Sequence, residues 1–222
     1  MKLIRITLLT LTVALAFSSL AHAQSDQPLA IIMTADGPIM PPMLEYFERG
    51  IETAEQRNAE VIILQLNTPG GSVDTMLEII QVIRASTVPM VVYVSPNDAI
   101  AGSAGALITM AGHASAMAPK TAIGAASQID SSGADVESTL GTKVREILKA
   151  RARALVEERG ARASQLAEAM IDDAKAVTAK EALEANLIDF ISDDTEDLLQ
   201  SLNGFSVQVK DGERTLNTAD IR

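Results

Sequence analysis

The chain contains no cysteine and no tryptophan, and its 222 residues include only two histidines, two tyrosines and four phenylalanines. Without cysteine there is no disulfide framework and no thiolate zinc site, so the fold must rest on its apolar core. Two imidazoles are too few for a His-rich metal centre, and no cofactor is expected. Positive charge is scarce as well: 18 Lys and Arg stand against 29 Asp and Glu, a formal net charge of −11. A surface of that sign repels phosphate backbones and anionic headgroups, which excludes nucleic acid as a partner. Beyond residue 23 no apolar run reaches the roughly 18 residues that mark a transmembrane helix.

What is present begins with "MKLIRITLLTLTVALAFSSLAHA". Lys2 and Arg5, an apolar run and the exit Ala21-His22-Ala23 have the order of a secretory signal peptide. The expected organisation is a signal peptide over residues 1–23 and a single domain over 24–222. Loss of Lys2 and Arg5 would take the net charge from −11 to −13. The mature protein is then expected outside the cytoplasm, in a periplasmic or other extracytoplasmic space.

Within 24–222 strand-like and helix-like segments alternate. "PLAIIMTADGPI" reads as a strand and "PPMLEYFERGIETAEQR" as a helix with proline in its first turn. "AEVIILQL" and "MVVYVS" are short continuous apolar runs, the pattern of strands buried on both faces. "SVDTMLEIIQVIRAS" is helical, with Met76, Ile79, Ile80 and Ile83 on one face. Short strands are expected in "SAMAPKTAIGAA", and a mobile surface loop in the polar, aperiodic "SQIDSSGADVESTLGT". "KVREILKARARALVEERG" reads as a helix closed by Gly160. Thr178 and Glu181 stand in capping-box spacing at the next helix. After the helix "DDTEDLLQSL", Asp211-Gly212 between alternating residues predicts a β-hairpin. This alternation implies an α/β domain with a largely parallel sheet.

Two stretches each follow a buried strand and open a helix. In "LNTPGGSVD", Gly70 and Gly71 can bring bare backbone N–H groups against a ligand, where a helix N-terminus favours negative charge. An isolated Pro-Gly-Gly is more often a plain turn. In "AIAGSAGALITMAGH", Ser103 stands among small residues ahead of an apolar helix and could act as a nucleophile if a base were near. "AGSAG" departs from G-x-S-x-G at Ala101. His113 lies ten residues on, about 15 Å along a continuous helix, too far to take the serine proton.

A lysine or a carboxylate is left as the base, and a lysine accepts a proton only when burial keeps it neutral. Lys149 lies in line with Arg145 and Arg153, a basic stripe expected to face water. Lys120, Lys175 and Lys180 have no apolar enclosure in the sequence. Lys143 has Ile147, Ala150 and Ala154 at helical spacing and borders an apolar face, so periodicity favours it without deciding the matter.

Taken together, "LQLNTPGGSVD", "STVPMVVYVSP", "AGSAGALITMAGHASAMAPKTAIGAAS", "TAKEALEANLIDFI" and "LLQSLNG" resemble the NfeD-type membrane-associated serine proteases. These are ClpP/crotonase-fold relatives of the SppA-type signal peptide peptidases, and the likeness runs from about Leu29 to Val209. The resemblance implies a parallel-sheet ββα spiral with flanking helices. It implies a Ser-Lys endopeptidase with Ser103 as nucleophile, Lys143 as general base, and Gly70 and Gly71 at the oxyanion hole. It further implies hydrophobic peptide substrates, among them stomatin-like membrane proteins, membrane association, and a homodimer or higher homo-oligomer. Asn97-Asp98 and Ser127-Gln128-Ile129 depart from the family's usual residues. The competing readings are a catalytically silent ClpP-like scaffold that binds hydrophobic peptides or a stomatin-type partner, and a crotonase-type acyl-CoA enzyme.

Overall fold

A computed structural model describes residues 27–127 and 139–221. The expected signal peptide, and residues 128–138 of the expected loop, lie outside the described residues.

Five parallel strands form the main sheet, in the order β1 (Ala30–Asp36), β2 (Val61–Asn67), β3 (Met90–Val94), β5 (Ala114–Met117) and β8 (Phe190–Ile191). Alternate residues of the central strands point to opposite faces, and both faces are covered. Ile62, Leu64, Leu66, Val92 and Val94 belong to one apolar cluster, together with residues of helices α1 (Pro41–Gln56), α2 (Val73–Ala85) and α3 (Ala104–Ala111). Val61, Ile63, Val91 and Tyr93 belong to the other. That second face is closed by Leu198 and Leu202 of α7 (Thr195–Leu202) and by Val207 of the hairpin β9 (Ser206–Val209) and β10 (Gly212–Thr215). Burial on both sides is why "VIIL" and "MVVYV" carry no polar alternation.

A smaller sheet stands beside the main one. Its strands run in the order β4 (Ile100–Gly102), β6 (Ala122–Gly124) and β7 (Ala176–Thr178), with β4 and β6 parallel and β7 antiparallel. It connects to the main sheet through the bridge between Thr68, just past β2, and Ala101 of β4. The chain is thus α/β, with a parallel-sheet spiral, flanking helices and a C-terminal hairpin, as expected.

Three local expectations change. Residues 139–142, expected in a loop, open helix α4 (Thr139–Val156), which continues into a 3-10 turn over Glu157–Arg159 before Gly160. A helix α5 (Ala161–Asp172), absent from the sequence reading, packs against α4. Within the stripe of Arg145, Lys149 and Arg153, the last two therefore face α5 acids: Lys149 meets Asp172 at 2.7 Å, and Arg153 meets Glu168 at 2.7 Å. The buried side of α4 is Gly141, Leu148, Ala152 and Val156, whereas Ile147, Ala150 and Ala154 are exposed. Helix α6 (Ala179–Glu184) completes the set and begins with the capping box of Thr178 and Glu181.

Candidate active site

β2 ends at Asn67, and the turn Thr68-Pro69-Gly70-Gly71 leads to Ser72, whose hydroxyl caps α2 by accepting from the Thr75 N–H. This is the carboxyl end of a parallel strand, where α/β sheets place ligands. β4 ends at Gly102, and Ser103 heads α3. The two turns meet. A Cβ built on Gly70 would lie 2.6 Å from the Ser103 Cβ and 3.2 Å from its Oγ, and Gly70 has φ +108°. Only glycine fits there, because any side chain would occupy the place of the serine hydroxyl.

Ser103 is half-buried, with φ +51° and ψ −114°. A non-glycine residue in that region costs on the order of 1–3 kcal/mol and persists only when its surroundings hold it. They do so here: the Ser103 N–H donates to the Gly124 carbonyl at 2.8 Å, and the Ser103 carbonyl accepts from Ala106 N–H at 3.0 Å. The hydroxyl is thereby presented at the amino end of α3.

The glycines differ in what their amides do. The buried Gly70 N–H donates to Thr68 Oγ1 at 3.0 Å. Gly71 is exposed, and its neighbours are tied to Ile39, which donates to the Gly70 carbonyl and accepts from Ser72 N–H. Among the described residues, neither the Gly71 N–H nor the Ala104 N–H is engaged in a hydrogen bond. Gly70 thus enters the site by the space it leaves, while Gly71 and Ala104 keep open donors. Thr68 and the Ala104 amide went unnoticed in the sequence. A threonine two residues before Gly70 carries the signal of a hydroxyl-capped turn.

Lys143 lies in the first full turn of α4, and α4 packs against α3, the helix that Ser103 heads. The structure does not join the two side chains: Lys143 is exposed, and no hydrogen bond or ion pair holds its Nζ among the described residues. Its expected apolar flank is exposed too, with Ile147 54% accessible. Lys149 is instead fixed in its charged form, its pKa raised first by the Asp172 hydrogen bond and also by Glu146.

His113 is remote from this chemistry. α3 ends at Ala111, and His113 pairs with the start of β3, its N–H donating to Met90 O at 2.9 Å and its Nδ1 accepting from Met90 N–H at 3.0 Å. Burial, then the nearby Arg84 charge, lower its pKa to about 4, so the imidazole is neutral. Among the described residues no cluster of His, Cys, Asp or Glu could hold a metal ion, and no helix is long and apolar enough to cross a membrane.

Residues 30–212 match the family model described as the NfeD1b N-terminal domain. The chain is 37% identical over 182 residues to the membrane-bound protease PH1510 of Pyrococcus horikoshii, covering 80% of this chain and 41% of that protein. It is 29% identical over 112 residues to the membrane protein NfeD1b of Bacillus subtilis, covering 50% of this chain and 25% of that one. The chain therefore spans less than half the length of either relative. Among solved structures it resembles the 1510-N membrane-bound stomatin-specific protease, in a lysine-to-alanine variant complexed with a substrate peptide. That match has TM-score 0.83 and 33% identity, and covers 89% of this chain and 91% of that one. ClpP1 from Listeria monocytogenes matches with TM-score 0.60 at 17% identity, over 76% of this chain and 94% of that one, a likeness of fold alone.

Proposed function

The chain belongs to the NfeD1b N-terminal domain family, with a ClpP-like fold, and from that premise we propose that it is a serine endopeptidase using Ser103 and Lys143. The observation that carries the reading is the strained Ser103, held at the head of α3 against a glycine whose missing side chain clears its hydroxyl. Strain of this kind, imposed by the surroundings on a residue with a free hydroxyl, is characteristic of presented nucleophiles.

In the proposed reaction neutral Lys143 takes the Ser103 hydroxyl proton, and Oγ attacks the carbonyl carbon of a peptide bond. The resulting oxyanion is stabilised by the Gly71 and Ala104 N–H groups, with the α3 dipole behind them. The intermediate collapses as the C–N bond breaks and protonated Lys143 supplies the leaving amine. Water then attacks the acyl-serine, giving a proton to Lys143, and as the C–Oγ bond breaks Lys143 returns that proton to Ser103 Oγ and the carboxylate product leaves.

A lysine works as a base only when its surroundings exclude water. Lys143 is exposed in the unliganded chain, so on this reading the bound peptide completes its burial. Apolar side chains exposed nearby in sequence suit that purpose: Leu140 and Ile147 flank Lys143 on α4. Met40 follows Ile39, the partner of Gly71, and Ile100 is the β4 residue whose carbonyl accepts the Thr68 N–H. Apolar peptide segments are the substrates this surface would recognise. The relatives described as membrane-bound or stomatin-specific support stomatin-like membrane proteins as the source of such segments and a place at the membrane.

The exposure of Lys143 is also what favours the second reading, a silent scaffold that binds the same peptides without cutting them. Cleavage of an internally quenched peptide with an apolar centre separates the two. Turnover by the parent, with at least a 100-fold loss in both Ser103→Ala and Lys143→Ala, is expected on the scale of lost nucleophiles and bases. Binding without turnover by the parent would establish the scaffold instead.

A further inference from the structure

Thr68 has every polar group committed to a different part of the candidate site. Its N–H donates to Ile100 O at 2.8 Å, and its carbonyl accepts from Gly102 N–H at 2.9 Å, which fixes both ends of β4. Its hydroxyl accepts from the Gly70 N–H at 3.0 Å and lies 3.4 Å from the Gly70 carbonyl. Its methyl group lies against α3 so closely that a Cβ on Gly105 would be 2.5 Å from Thr68 Cγ2. The side chain is completely buried.

Strand packing alone would be served by valine, which has the same shape and β-branching. The hydroxyl adds one thing: it occupies the Gly70 N–H in a place closed to water. A buried amide left unpaired costs free energy, and the turn would relieve that cost by rotating until the N–H found a partner. The Gly70 carbonyl, which the same hydroxyl approaches at 3.4 Å, shares its peptide plane with the Gly71 N–H, so a turn freed at Gly70 would redirect the Gly71 N–H as well. It would also move Gly70 relative to the Ser103 side chain, whose Cβ would lie 2.6 Å from a Cβ on Gly70.

We infer that Thr68 is a positioning residue, whose hydroxyl locks the Thr68–Gly71 turn so that the Gly71 amide stays directed at the carbonyl attacked by Ser103. This rests on the proposed peptidase reading for its effect on rate, but the lock itself is a property of the turn. Thr68 touches neither substrate nor reacting atoms; it acts through Gly70 and Gly71.

The test uses the whole chain with Thr68→Val and Thr68→Ser, alongside Ser103→Ala, on the same quenched apolar peptide. Thr68→Val keeps the methyl contact with Gly105 and removes the hydroxyl. Its kcat is expected to fall by about 10- to 100-fold, the cost of a misplaced catalytic group, with KM within about twofold. Thr68→Ser restores the hydroxyl and is expected to recover kcat to within about threefold of the parent. Hydrogen exchange at the Gly70 amide gives a readout independent of catalysis: slow in the parent and Thr68→Ser, and at least tenfold faster in Thr68→Val, with far-UV circular dichroism unchanged. Equal kcat in Thr68→Val and the parent would overturn the inference, as would equal impairment of Val and Ser variants, which assigns the effect to packing. If Ser103→Ala cleaves as well as the parent, the peptidase reading fails; unchanged Gly70 exchange in Thr68→Val then overturns the lock separately.

Discussion

His113 shows how a single side chain is taken out of chemistry by its partners. It looks like the natural companion of Ser103 in sequence, yet both of its backbone-facing groups pair with Met90, and burial holds its pKa at about 4. That depression has a measurable sign. Above about pH 6.5 the imidazole is neutral in folded and unfolded chains alike, and its contribution to stability is complete. Between pH 6.5 and 4 the unfolded chain binds a proton that the folded chain refuses, so stability falls as the pH falls through this window. The full loss is on the order of 3 kcal/mol. In His113→Asn the amide oxygen can accept from Met90 N–H without titrating. Urea unfolding at pH 7 and pH 4 should therefore show the parent losing about 3 kcal/mol more than the variant across that interval. A parent–variant difference that does not change with pH would contradict the assignment. Ser103 is the opposite case: its partners hold it in a costly backbone conformation with a free hydroxyl.

Among the elements, those written in short-range chemistry were legible and those written in tertiary contacts were not. Two-sided apolar runs gave β2 and β3, and the Thr178/Glu181 pair marked a helix start. The capping box is complete, with Glu181 N–H to Thr178 Oγ1 at 3.3 Å and Thr178 N–H to the Glu181 carboxylate at 2.8 Å. The Thr178 backbone N–H, then its hydroxyl, hold the Glu181 carboxyl below its usual pKa. Thr178→Ala should cost about 1 kcal/mol in chemical denaturation, with the pKa of Glu181 moving up towards the ordinary carboxylate range in an NMR titration. An unchanged Glu181 titration would show that the cap does not form in solution. Helix α4 was misjudged for a specific reason. The Arg145-Lys149-Arg153 stripe reads as a water-facing surface until α5 supplies Glu168 and Asp172, and an unrecognised α5 leaves the wrong face of α4 looking buried. The argument that placed Lys143 beside an apolar core therefore fails in its structural premise, since Ile147, Ala150 and Ala154 are exposed. Lys143 keeps its candidacy through the family resemblance and through the packing of α4 against α3.

At the scale of the whole molecule, the candidate site is assembled by the parallel pairing that brings the end of β2 beside β4 and the head of α3. No local pattern in "TPGG" or "AGSAG" states that the two turns touch; only the sheet order and the Thr68–Ala101 bridge bring Gly70 to Ser103. The pieces were readable from spacing and composition, and their meeting came from the family resemblance before the fold displayed it. Lys149, Arg153 and Arg159 are held in ion pairs with Asp172, Glu168 and Asp189, whereas Lys143, like Lys120 and Lys175, is paired with no acid among the described residues. Reaction with a fluorophosphonate, which phosphonylates an activated serine without needing a particular peptide, tests the central claim most directly. Intact-mass and peptide-mapping spectrometry should find one adduct per chain on Ser103, formed at least tenfold more slowly in Lys143→Ala and absent from Ser103→Ala. No adduct on the folded parent, or labelling at Ser103 that proceeds equally fast without Lys143, would contradict the account.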